Sequence, residues 1–419
     1  MNDSSTELKA DAEGYAHTGK ASKKAIFVVA IIFVTLILAI IGIWKMVFPN
    51  GSSNHAPYPG PQVEQALDGI PSGAKIGVVV SYTEDPTQGA GWDGNGEGIT
   101  IAKWRLAQNG TRIDTVVVSD QGTSEGAADA INQLKEQNVS AVVALTSGNH
   151  TNRLAKEASA AGLPIVFPYE SALSDYGDAT WYGFPDPDSL AKKLEDSAKA
   201  LSCSPFIVLD KAPAGLDSLI IVNSTDEEQR AQELKKIIKD SRTGCIFIDQ
   251  PPAQMAQTIS DLQSHQINAK FIAGRYGTNS QFQEELASSS LSGLSIFTLA
   301  PAKTAMSDTE SLGFAEARSL MQQGNTEKAL RDDAIFSERA TLSDTSSYEA
   351  FMAVARSIAR AKSYDPQHVQ NEISKLVQKD AESVDGVSRD FSNRVYQNVE
   401  LAQIVSLDGN PTWVSAEKR

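Results

Sequence analysis

Several absences narrow what this 419-residue chain can do. Its five histidines stand singly, so no spacing of neighbouring ligands builds a zinc site. No lysine- or arginine-rich run appears outside the N-terminal region. With a formal net charge of −15, the chain therefore lacks the basic stripe that nucleic acid binding needs. No tandem repeat of solenoid period is present. Cysteine is nearly absent too: Cys203 and Cys245 are the only two, and neither lies near the N-terminal apolar run, so a lipidated-cysteine anchor is excluded.

What the chain does have begins with that run. Residues 25–43 (AIFVVAIIFVTLILAIIGI) carry no charge, and at ~1.5 Å per helical residue they cross a hydrocarbon core of ~30 Å. Residues 25–48 therefore read as a transmembrane helix. Lys20, Lys23 and Lys24 precede it and only Lys45 follows closely, so the N-terminus is expected in the cytoplasm and the rest outside. A cleaved signal peptide would share the charged flank but would have a shorter apolar region and a small-residue cleavage site. Here Trp44, Lys45, Met46 and Phe48 follow, an interfacial anchor. Residues 1–24 read as a polar cytoplasmic tail, and 49–73, rich in Pro, Gly and Ser, as a linker. Outside the cell the two cysteines are either a disulfide or two buried thiols, since a bridge requires Cα atoms within about 7 Å.

From Lys75 the pattern is that of a parallel α/β protein. Apolar strands at 75–81, 115–119, 141–145 and 163–167 alternate with helices at 98–108, 124–137 and 151–161. A second series follows: helix 188–201, strand 218–222, helix 226–239, strand 245–249, helix 253–265, strand 270–273, helix 281–287 and strand 294–299. A helical stretch covers 307–361, with a further helix at 366–379, and 394–414 reads as a hairpin turning at 408–410. About two-fifths of the residues are hydrophobic, which suffices for two packed bodies.

The most informative stretch is 139–171, a strand, loop, helix, strand and loop. Its two loops, 146–150 and 169–171, should lie side by side at the carboxyl ends of adjacent parallel strands, where open α/β sheets bind ligands.

This order of elements resembles the type I periplasmic binding proteins, in particular the leucine/isoleucine/valine-binding branch of ABC transporter solute-binding proteins. KIGVVVSYT, VVVSDQGTSEGAADAINQLKEQNVSAVVA, TSGNHT, GLPIVFPYES and SYEAFMAVARSIARA carry the likeness, which covers about 74–415 and is stronger in the first half. It implies a two-lobed clamshell with lobe 1 at 74–186 and 301–365 and lobe 2 at 187–300 and 366–419, closing on a ligand by hinge motion. It also implies crossings near 184–188, 301 and 363–367, and loops 146–151 and 169–171 gripping a ligand carboxylate. His150 then stands where the family has a serine, and Ser171 where it has a threonine. Amino-acid binders of the family place a carboxylate after the strand at 270–273 to meet the ligand's ammonium. Here GRYG puts Arg275 or Tyr276 at that position. The aromatic residues that the family has near Asp226 and Gln250 are not evident.

The candidate ligand-binding residues are Trp92, Ser147, Asn149, His150, Thr151, Tyr169, Glu170, Ser171, Gln250, Arg275 and Tyr276. His150 is a potential donor or pH-sensitive group, with a solvated loop histidine as the alternative. Arg275 and Tyr276 suit a carboxylate or phosphate, or form a surface pair. Glu170 suits a cationic or hydroxyl-rich ligand, or is solvated. GAGWDGNGEG at 89–98 has glycine spacing reminiscent of a phosphate loop, but the glycines lie beyond the strand tip. Its calcium-loop pattern fails at the twelfth position, Trp104. Trp92 reads as an apolar lid at the cleft edge. The expectation is therefore a membrane-anchored extracytoplasmic solute-binding protein without cofactor or catalysis, taking a small polar ligand such as an amino acid to an ABC permease or an envelope receptor. The alternative is a clamshell without ligand acting as a regulatory or sensory interaction domain.

Overall fold

The computed structural model describes residues 62–416, apart from 173–176, 204, 210–215, 217–218, 242, 289–294, 302–308, 332–333 and 408–409. The tail, transmembrane helix and most of the linker read from the sequence lie outside the described residues. All described residues belong to the compact unit Pro59–Arg419.

Two sheets organise that unit. The first is wholly parallel, in the order β2-β1-β3-β4-β5, with β1 (Lys75–Val80) at its centre-left beside β2 (Asp114–Ser119) and β3 (Ala141–Leu145). β4 (Ile165–Ser171) and β5 (Thr180–Phe184) complete it. The valine-rich run of β1 is buried over nearly its whole length, because a parallel strand is covered on both faces. Its connections are α1 (Glu97–Gln108), α2 (Ser124–Glu136) and α3 (Thr151–Ala161). Thr123 caps α2 by accepting from the Gly126 N–H at 3.0 Å. α3 ends at Gly162, whose φ of 70° is the left-handed conformation that closes a helix.

The second sheet runs β12-β11-β10-β9-β8-β6-β7. β6 (Phe206–Leu209), β7 (Leu219–Val222), β8 (Cys245–Ile248), β9 (Lys270–Ala273) and β10 (Ser295–Ala300) are parallel. The hairpin of β11 (Glu400–Leu407) and β12 (Asn410–Ser415) adds antiparallel to β10. Helices α4 (Pro187–Ala200), α5 (Glu227–Ser241), α6 (Pro252–Ser264) and α7 (Ser280–Ser288) belong to this series. A disulfide joins Cys203, just after α4, to Cys245 at the start of β8, with Cα atoms 5.3 Å apart.

Two strands escaped the sequence reading, β5 and β6, since four or five apolar residues give too little periodicity to declare themselves. The helical stretch read at 307–361 is in fact α8 (Thr309–Gly324), irregular chain with short 3-10 turns, and α9 (Thr345–Ala361). α9 is buried along nearly its whole length, packing against β1, β3, β4 and α1. Gly98 permits this. A Cβ there would lie 2.1 Å from the Asp344 carbonyl oxygen, at the amino end of α9.

The third crossing needs correction. α10 (Pro366–Ile373) packs on α9 and β3, burying Val369 and Ile373, so it stays with the first sheet. Past it, the Trp181 indole donates to the Phe391 carbonyl (2.8 Å), and the Tyr182 and Tyr396 N–H groups donate to the Arg394 and Tyr182 carbonyls. The chain therefore returns to the second sheet between Tyr396 and Glu400, about thirty residues later than the read boundary at 366. Periodicity shows that α10 has an apolar face but not which sheet that face covers.

Candidate functional site

The loops after β1, β2, β3 and β4 emerge along one edge of the first sheet, and those after β8 and β9 along an edge of the second. Polar side chains at the first edge form a buried network. Ser81 Oγ donates to Asp120 Oδ1 (2.7 Å) and lies 2.6 Å from Thr146 Oγ1. His150 Nε2 is 2.9 Å from Thr146 Oγ1, 3.0 Å from Asp120 Oδ2 and 3.2 Å from Ser81 Oγ. Ser81 has one proton and gives it to Asp120, so Thr146 donates to Ser81 and His150 carries its proton on Nε2. His150 Nδ1 is buried without a partner. Because Asp120 and Ser81 meet His150 through the same nitrogen, the relay of a nucleophile, base and orienter, which uses both, is not assembled. Gly89 lies directly on this network: a Cβ there would be 2.4 Å from Thr146 Oγ1, and its φ is +92°.

The expected role of His150 as a donor to ligand is therefore revised. The ring is 3% exposed and its donor nitrogen is committed inside lobe 1. Asn149 beside it is exposed, its backbone N–H meeting the Thr87 carbonyl at 3.4 Å.

Beside His150, α3 begins at Thr151, presenting the N–H groups and positive dipole end that favour an anion. Glu170 supplies that anion. Its Oε2 accepts from the Gly148 N–H (2.9 Å) and Thr151 Oγ1 (3.2 Å), its Oε1 from the Ser171 N–H (2.9 Å), and the Ser147 hydroxyl also bonds to it. Burial pushes the carboxyl pKa up, and these four donors pull it back. Thus Ser147, Thr151, Glu170 and Ser171 do converge, but on one another.

The third feature is aromatic. Trp92 is 1% exposed, and its ring stacks on Tyr169 at 4.6 Å and on Tyr276 at 5.7 Å. Expected as a lid at the cleft edge, it stands between the lobes instead. Its Nε1 is buried without a partner. Tyr169 donates its hydroxyl to both oxygens of Asp344 (2.9 and 2.8 Å), the N-cap of α9. Burial and then the Asp344 charge hold that phenol far above its ordinary value. Burial pushes the Tyr276 phenol up to about 12; Arg275 opposes this, while Asp249, Asp85 and Glu170 add to it. The Arg275 guanidinium lies 4.8 Å from the Tyr276 ring centroid, and its backbone N–H donates to Asp249 Oδ1. Gln250 is buried, its Oε1 accepting from Thr258 on α6 at 2.8 Å.

Among the described residues several hydrogen bonds cross between the lobes, one of them from Thr341 Oγ1 to Glu284 Oε1 at 2.9 Å. Asn279 Nδ2 donates to the Gly91 carbonyl (2.6 Å), and the Ser280 N–H donates to Asn95 Oδ1 (3.1 Å). Asn95 also donates to Asp344 Oδ2 (2.8 Å), and Asp93 pairs with Arg331. The acidic and amide groups of the 89–98 loop are thus engaged within the protein rather than arrayed for calcium. Among the described residues no group of three or more His, Cys, Asp or Glu could hold a metal.

Sequence reasoning did not single out Ser81, Asp120, Thr146, Asn95, Asn279, Ser280 and Asp344, although Thr146 lies in the 146–151 loop that it selected. The first three each follow a parallel strand directly, so the carboxyl-end rule, applied to every strand, finds them. Asp344 carries a capping signal ahead of α9. Asn95 stands in the 89–98 loop, whose calcium-loop pattern is the one signal it carries, and that pattern points to a different role.

No protein-family model and no curated protein matches the chain. Solved structures do. The leucine-binding protein LivK from Thermotoga maritima is 17% identical with a TM-score of 0.57, over 83% of this chain and 100% of that one. The branched-chain amino acid substrate-binding protein LivJ from Streptococcus pneumoniae, in complex with isoleucine, is 16% identical with a TM-score of 0.58, over 81% and 98%. A solute-binding protein from R. palustris, in complex with 4-hydroxybenzoate, is 15% identical with a TM-score of 0.58, over 82% and 96%. With parallel sheets flanked by helices and crossings that return each half of the chain to its own sheet, the protein has the type I periplasmic-binding-protein fold.

Proposed function

We propose that this protein is an extracytoplasmic solute-binding protein, held to the membrane by the helix at 25–48 and passing a small polar ligand to an ABC-type permease. Binding occurs by closure of two lobes, without catalysis. The observation that carries this reading is the stack of Tyr169, Trp92 and Tyr276, in which side chains of both lobes meet at the strand ends. Such a site gains its affinity from a ligand that touches both lobes only when they close. The fold neighbours in complex with isoleucine and with 4-hydroxybenzoate support the reading by analogy of architecture.

A second reading has its own observation: Trp92 is buried against Tyr169 and Tyr276, and Glu170 accepts from the Gly148 and Ser171 N–H groups, so both are engaged within the protein itself. A clamshell so engaged would act as an interaction domain of the cell envelope. A thermal-shift screen of the purified chain against amino acids, amides, amines, sugars and aromatic acids separates the two. A ligand at a hundredfold its Kd stabilises the folded state by ~2.7 kcal/mol. Silence across all classes would favour the second reading.

A further inference from the structure

Glu170 takes the donors between β3 and α3 and at the end of β4: the Gly148 and Ser171 N–H groups and the Ser147 hydroxyl, with Thr151 Oγ1 3.2 Å from it and donating also to the Gly148 carbonyl at 2.7 Å. An incoming carboxylate would find these donors engaged and would meet a like charge. The other charges around the aromatic stack point the same way. Asp85, Asp249 and Glu170 all bear on the Tyr276 hydroxyl, against Arg275 alone. Asp344 faces Tyr169 but is committed to the Tyr169 hydroxyl, Asn95 and the Ser347 N–H. Asp120 faces His150.

The faces of Tyr169 and Tyr276 are themselves cation-seeking, since an aromatic quadrupole is negative above the ring. Tyr276 already holds one guanidinium, that of Arg275, at 4.8 Å. Between the two tyrosines stands Trp92, directly after Gly91, whose φ of +84° is a conformation open to glycine and around which a Cβ would meet no atom closer than 3.5 Å.

Resting on the solute-binding reading above, we propose that Glu170 is the specificity-determining residue of the cleft. By filling the carboxylate cradle with the chain's own carboxylate, it makes the site one for organic cations, amines or quaternary ammonium compounds, and rejects carboxylates. The cationic group lies against Tyr169 and Tyr276, with Trp92 turned aside to cover it.

The test uses the full chain in detergent micelles and two matched probe pairs, benzyltrimethylammonium against benzoate and choline against acetate, by calorimetry. The cation of at least one pair should bind about a hundredfold more tightly than its carboxylate, the discrimination that like-charge juxtaposition commonly imposes. Glu170→Gln, nearly isosteric but neutral, should weaken cation binding about tenfold, and Glu170→Ser should open the cradle and admit benzoate or acetate. If Glu170→Ser fails to fold, the Gln variant alone decides. Carboxylates binding the native chain as tightly as cations, or a Gln variant with unchanged cation affinity, would overturn the assignment while leaving a solute-binding protein. If neither class binds any form, this proposal fails, while the solute-binding reading is decided separately by the thermal-shift screen.

Discussion

Replacing Trp92 by alanine tests whether the aromatic stack holds the lobes together. The indole is 1% exposed, and removing so large a buried side chain costs ~3–5 kcal/mol of folding stability. Most of that loss belongs to lobe 1, where Trp92 lies on Tyr169 at 4.6 Å. Only the contact with Tyr276, at 5.7 Å and 25° between planes, crosses to lobe 2, and such a pair is worth ~0.5–1.5 kcal/mol beyond its area. A double-mutant cycle of Trp92→Ala and Tyr276→Ala, followed by urea unfolding, should therefore give a coupling energy of about 1 kcal/mol. In the native state that energy amounts to about a two- to tenfold shift towards open lobes, visible as a larger radius of gyration by small-angle scattering. The backbone partners of Asn279 and the Asn95 side chain remain, so the variant opens more often rather than permanently. Additive single effects, together with an unchanged scattering radius, would refute the idea that Trp92 fastens the cleft.

Other outcomes follow from the same contacts. Replacing both Cys203 and Cys245 by serine removes a crosslink between residues 42 apart, for which loop entropy predicts a loss of about 4 kcal/mol; denaturant melts of the variant and the native chain compare them. Burial raises the Glu97 carboxyl from 4.5 to about 7, so the folded state holds a proton that the unfolded chain releases near 4.5. Its contribution therefore declines as pH rises from 4.5 to 7 and is level above, an order of about 3 kcal/mol. Glu97→Gln should flatten the stability curve across that window, and identical slopes would contradict this. Asp344→Ala strips the cap of α9 and leaves the Tyr169 hydroxyl and an Asn95 N–H donor without their acceptor, for a loss of about 2–4 kcal/mol in thermal or urea unfolding.

Much of the fold was legible because the patterns are long. β1, β3 and β4 are continuous apolar runs, and α2, α3 and α9 repeat at helical spacing. The edge of 139–171 was legible as well, since strand ends of a parallel sheet must face one way. β5 and β6 were lost because short strands are defined by neighbours rather than by themselves, and α10 was assigned to the wrong lobe for the same reason.

The sequence by itself determined the class of the protein: parallel α/β in two series, an apolar run long enough to span a membrane, and the loops at which to look for a site. Local patterns suffice for these, because each depends on a run of adjacent residues. Tertiary structure alone decided what the site residues do. Glu170 could be read as solvated or ligand-binding until Gly148, Ser147, Thr151 and Ser171 were found turned towards it, and Trp92 could be read as a lid until Tyr169 and Tyr276 were found on its two faces. The physical reason is distance along the chain. Trp92 and Tyr276 are nearly two hundred residues apart, and hydrogen bonds and ring contacts act only over a few ångströms, so only the folded chain can state which partners meet.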